Sequence, residues 1–147
     1  MGLFSMFRIS GSALTAEKLR LDVIAGNLAN MNTTRTARGG PYRRRTVVFA
    51  EQLDRERSRM QQAGVSHGEP GKGVRVQSIY RDMRDPRLVY DPEHPDADAE
   101  TGYVAYPNIE VVKEITDLIT AQRSYEASST ALKTAKEIYL KALEIGQ

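Results

Sequence analysis

Cysteine is absent from this 147-residue chain, and with it go disulfide staples, thiolate nucleophiles and Cys-ligated zinc or iron–sulfur centres. Tryptophan is also missing, and aromatic residues make up only 7% of a chain that is 40% apolar. The large side chains that usually anchor a core are therefore scarce. A compact chain of this length can bury a workable core, but this composition does not secure a single globule. No run reaches the ~20 apolar residues of a bilayer-spanning helix, because Arg8, Lys18, Arg20 and the C-terminal charges interrupt every candidate. The opening Met1 to Ser12 lacks both a basic stretch ahead of an apolar one and a small-residue cleavage site. It is a poor secretory signal.

Catalytic and ligand-binding signatures are equally thin. His67 and His94 are the only imidazoles, both in Gly- or Pro-rich sequence without a second ligand at a metal-type spacing. Gly71-Lys72-Gly73 lacks the glycine spacing and following hydroxyl of a phosphate loop and reads as a turn. Asp96, Asp98 and Glu100 are spaced like the start of a calcium loop, but Thr101 stands where the turn glycine belongs and the distal Glu is missing. A solvated acidic loop is the simpler reading. No serine lies in a nucleophile elbow. No catalytic, cofactor-binding or metal-binding residue is assigned, and the chain is expected not to be an enzyme and to use no cofactor.

What is present is local charge and helical periodicity. The net charge of +2 hides a basic segment, Asn32 to Met60, with eight Arg against three acids, and an acidic one, Gln61 to Pro107, with eight acids against five basic residues. The cluster Arg35, Arg38, Arg43, Arg44 and Arg45 could meet phosphate backbones, but Asp91 to Glu100 offers an acidic match in the same chain. Charged contact between subunits, through Arg43, Arg44 and Arg45 with Asp96 and Asp98, is therefore favoured over nucleic acid.

All six prolines lie between Pro41 and Pro107, so long helices are confined to the two ends. Phe7, Leu14, Leu21 and Leu28 recur at strict sevens with Ile24 beside them, which predicts a helix over about Ser12 to Met31, capped by Ser10 or Ser12 and closed by Asn30 and Asn32. Leu118, Tyr125, Leu132 and Tyr139 repeat the sevens, joined by Val111, Ile115, Ile138 and Leu143. This predicts a second helix, N-capped by Asn108 and ended by Gly146, of about 37 residues and on the order of 55 Å. Ala127, Ala131, Ala135 and Ala142 form a small-residue strip on it where another helix could approach closely. Taken alone, the stripes suit an intramolecular hairpin as well as an assembly surface. Between the helices, Thr46–Phe49, Val74–Tyr80, Leu88–Tyr90 and Tyr103–Tyr106 read as short strands, with a looser loop around Gln61 to Lys72.

The stretch LRLDVIAGNLANMNT (residues 19–33) resembles the N-terminal signature of the bacterial flagellar rod and hook proteins. GGPYRRRTVVF (39–49), GYVAYPNI (102–109), RSYEA (123–127) and KALEIG (141–146) are similar to the proximal-rod members of that axial family. Two departures stand out: Gly26, where the family usually has Asn, and the basic loop 33–38. The resemblance implies a mainly α fold with a small irregular β region, in which an N-terminal axial helix (1–34) and a C-terminal one (108–147) pair as an extended coiled coil around a β and loop segment (35–107). It implies a structural subunit of the proximal rod that polymerises through its terminal helices into the drive shaft crossing the periplasm. Export without a cleaved signal peptide, through the flagellar type III apparatus, is implied as well. The implied partners are other copies, the other proximal and distal rod proteins, the adaptor between export ring and rod, and the export apparatus; no nucleic acid and no small-molecule substrate are implied. Phe7, Leu14, Leu21, Ile24, Asn27, Leu28 and Asn30 of the first helix, with Ile115, Leu118, Tyr125, Leu132, Tyr139 and Leu143 of the second, are the expected assembly interface.

Overall fold

The computed structural model describes residues 3–52 and 73–145. His67, the Gln61–Lys72 segment, the turn residues Gly71 and Lys72, and Gly146 lie outside the described residues. Two helices, α1 (Leu3–Ala29) and α2 (Val111–Ile145), bracket four strands, β1 (Arg45–Glu51), β2 (Val74–Arg81), β3 (Arg87–Tyr90) and β4 (Tyr103–Tyr106). The chain is mainly α with two small antiparallel sheets, as the sequence indicates, and all four strands fall on the β-compatible runs.

The α1 helix begins nine residues earlier than its sequence signals suggest. Gly11 does not interrupt it, since the cost of glycine in a helix interior is only about 1 kcal/mol. Ser12 is therefore not its cap. The Ser12 hydroxyl donates to the Ile9 carbonyl at 2.7 Å and accepts the Val74 N–H at 3.1 Å, which fastens the start of β2 to the helix. Gly73, at φ +124°, makes that approach: a Cβ there would lie 2.3 Å from Ser12 Oγ. At the other end Asn30 closes α1 as expected, its Nδ2 donating to the Gly26 carbonyl at 2.8 Å and its Oδ1 accepting from Thr33 Oγ1 at 3.2 Å.

The α2 helix starts at Val111, later than an Asn108 cap would place it, because its first backbone bond runs from Glu114 N–H to the Glu110 carbonyl at 3.0 Å. At about 1.5 Å per residue, its 35 residues span roughly 52 Å, against roughly 40 Å for the 27 of α1. The two helices pack along one another, and the C-terminal end of α1 lies beside the N-terminal end of α2, so they run antiparallel. On α1, Ala16, Ile24 and Asn27 are buried, while Arg8, Thr15, Asp22 and Ala29 form the outer stripe. On α2, Glu114, Ala121 and Ala135 are buried at multiples of seven, with Ser128 half-buried between them. The small-residue seam is thus Ala121, Ser128 and Ala135. Of the expected strip only Ala135 belongs to it; Ala127, Ala131 and Ala142 are exposed.

The β1–β2 pair is antiparallel with an irregularity at Val48/Phe49, and it packs on α1 through both strands. That packing is needed, because an isolated two-stranded hairpin is marginal in water. The β3–β4 pair forms a separate ribbon whose Val104 is fully buried, and buried Pro107 leads from it towards α2.

Candidate functional site

An amide in the apolar arc of α1 needs four hydrogen-bond partners once it is buried, and Asn27, 0% exposed, has them all. Its Nδ2 donates to the Arg45 carbonyl at 2.8 Å and to Glu114 Oε2 at 3.0 Å, while its Oδ1 accepts the Arg45 N–H at 2.9 Å and the Tyr42 hydroxyl at 3.2 Å. Glu114, also 0% exposed, accepts from Arg44 Nε through its other oxygen at 2.5 Å, and Arg44 reaches on to Asp117 at 3.3 Å and Thr46 at 2.8 Å. One polar knot therefore joins the end of α1, the start of β1 and the first turn of α2. A carboxylate in a first helical turn also meets the positive end of the helix dipole.

Two charged loops flank this knot. The turn 36–41, closed by Thr36 N–H to the Gly40 carbonyl at 2.9 Å and by Gly39 and Gly40 at positive φ, walls a cleft of about 340 Å³ with Arg38, Arg43, Arg45 and Arg81 on its lining. Arg43 donates to the Arg84 carbonyl, and the Arg45 guanidinium lies 5.5 Å from the centroid of the Tyr42 ring. Opposite in sign, the loop 91–100 carries Asp96, which accepts from Thr34 Oγ1 at 2.7 Å and pairs with Arg35 at 3.8 Å. Asp98 Oδ1 accepts from Thr101 N at 2.9 Å, from Glu100 N at 3.0 Å and from the Thr101 hydroxyl at 3.0 Å. These bonds, the Thr101 N–H first, hold its carboxyl below the usual range. His94 is half-buried: its Nδ1 accepts the Asp96 N–H at 3.1 Å, and its ring stands edge-on to Tyr106. Next to the arginine cleft, hydrogen bonds from the Arg84 side chain lower Asp82 to a pKa of about 2. No cluster of three metal-ligating side chains occurs among the described residues.

The expected assembly residues divide between inside and outside. Ile24 and Asn27 are buried within the chain, and Phe7, Leu14, Leu21 and Leu28 of α1, Asn30 just past its end, and Leu118 and Leu132 of α2 are half-buried. Ile115, Tyr125, Tyr139 and Leu143 remain exposed. Of the charged residues, Arg44, Asp96 and Asp98 have partners inside the chain, whereas Arg45 is exposed without an acidic one among the described residues. Sequence reading missed Glu114 and Tyr42 as members of the knot. The signal was there for Glu114, which lies seven residues before Ala121 on the same seam.

Residues 7–35 match the family model for flagella basal body rod proteins, and residues 100–145 match that for the C-terminal region of flagellar basal body rod FlgEFG proteins. These are α1 with its closing turns, and β4 with α2. Over its whole length the chain is 44% identical to the flagellar basal-body rod protein FlgC of Bacillus subtilis, covering all of it, and 42% identical to that of Borreliella burgdorferi, covering 99%. It is 40% identical to the FlgC of Salmonella typhimurium, again with both chains fully covered. Two terminal helices locked by a buried polar knot, a middle of small ribbons, and this similarity from end to end make the chain a member of the FlgC family of flagellar basal-body rod proteins, a structural subunit of the rod and not an enzyme.

Proposed function

We propose that the chain polymerises through its terminal helices, 1–34 and 108–147, into the proximal rod, and that the α1–α2 pair acts there as an antiparallel coiled coil. The observation that carries this is the apolar surface left on α2. Val112, Ile115 and Ile119 form an exposed stripe at its N-terminal end, and Ile138, Tyr139, Leu140 and Leu143 are exposed at its C-terminal end. The second group lies past Ala135, the last buried residue of α2. A monomer seldom leaves such a surface uncovered, and two separate patches on one helix suit neighbours above and beside it in a heterologous, non-closing lattice. The middle segment 35–107 supplies charged contacts between neighbours, and torque passes through packed helices across the periplasm. Other rod proteins, the ring adaptor and the type III export apparatus are the partners of this reading, with export needing no cleaved signal peptide.

Deletion tests it. Loss of flagella in the deletion strain, together with the chain in basal bodies purified from the parent, is the expected result. Intact flagella would overturn the reading.

A further inference from the structure

We propose that the arginine cleft is a carboxylate-binding site whose occupant is the acidic loop 91–100 of a second copy. The inference rests on the polymerising-subunit reading and adds to it a specific receptor and ligand. Two of the five loop arginines are already matched within the chain, Arg44 by Glu114 and Asp117 and Arg35 by Asp96. The four that line the cleft, Arg38, Arg43, Arg45 and Arg81, have no acidic partner among the described residues.

The backbone also forces two of them together. Arg45 and Arg81 are direct cross-strand partners at the end of the β1–β2 ladder, and like charges in that position oppose pairing. An anion held between them removes the repulsion. The cleft is partly organised in advance, because the Arg43 side chain is tied to the Arg84 carbonyl and Arg45 lies against Tyr42. Less side-chain entropy is then lost on binding.

The loop 91–100 has the complementary build. Glu93 and Glu100 are exposed and carry no ion pair among the described residues, and the Asp98 turn fixes the backbone that presents Glu100. No residue of the loop lines the cleft, so each copy that donates a loop still offers an empty cleft, and the contact propagates.

Charge reversal tests the site in cells carrying only the variant chain. Arg38→Glu with Arg81→Glu is expected to lower the motile fraction at least tenfold, and adding Glu93→Arg and Glu100→Arg to the same chain is expected to restore it. Unchanged motility in the double variant, or no recovery in the quadruple one, overturns the proposal. A second measurement does not depend on tolerance of reversed charge. Because the chain has no cysteine, co-expressed Arg38→Cys and Glu100→Cys chains should form a disulfide-linked dimer in basal bodies that neither forms alone. Monomers only, from assembled basal bodies, overturn the site but leave the rod reading standing; motility that survives deletion of the gene overturns the rod reading itself.

Discussion

At the scale of single residues, Asn27 and Glu114 matter most, because each is fully buried and each is polar. A buried amide without partners is costly, but Asn27 has all four, so the arrangement is specific as well as stable: only a side chain with two donors facing Glu114 and the Arg45 carbonyl, and an acceptor facing Arg45 N–H and Tyr42, fits. Asn27→Ala orphans those partners and is expected to destabilise the chain by about 2–4 kcal/mol, read from urea unfolding followed by circular dichroism. Asn27→Asp sets a second carboxylate beside Glu114. One of the two then titrates at a raised pKa in the folded state, so stability should recover as pH falls below that pKa and be lost as pH rises through it. A loss independent of pH would show that the amide does not face the acid. The apolar periodicity of α1 was plain in the sequence, but the meaning of Asn27 was not, because its partners lie 15 to 87 residues away.

At the scale of elements, the helices are legible in sequence and their contacts are not. Sevenfold spacing found both, and the confinement of proline to residues 41–107 bounded them. The starts were missed because Ser12 and Asn108 look like caps. Ser12 is instead drawn into a contact with β2, and Asn108 lies ahead of the first helical bond at Glu110. The alanine strip divides for a related reason: alanines on any face of α2 look alike until α1 is seen beside some of them, and of the four only Ala135 is buried. This separates two substitutions of the same kind. Ala121→Leu forces extra carbons into a seam where Ala121 is 0% exposed and should cost about 1–3 kcal/mol, whereas Ala127→Leu at an exposed position should change stability by less than about 0.5 kcal/mol. Equal effects in thermal unfolding would refute the assigned seam.

At the scale of the whole molecule, the chain is an extended helical pair with a charged, ribbon-bearing flank. Apolar stripes at both ends of a free chain favour ends that fold only once assembly hides them. The structure narrows that idea, because the knot and the β1–β2 ribbon give α1 and the N-terminal half of α2 partners within the chain, while residues 136–144 of α2 are exposed. Amide exchange on the monomer is expected to be slow over residues 16–27 and 114–124 and fast from 136 to 145, with the last stretch becoming protected in assembled basal bodies. Uniform protection in the monomer would count against assembly-coupled folding of that end. By itself the sequence determined the family, the two end helices and the four strands, because periodicity, proline placement and contiguous motifs are local properties. Only the tertiary structure decided that the expected assembly residue Asn27 belongs to an internal knot, which alanines form the seam, and which arginines have no acidic partner among the described residues. Those are questions of what lies opposite a side chain, and distant segments answer them only once the backbone has brought them together.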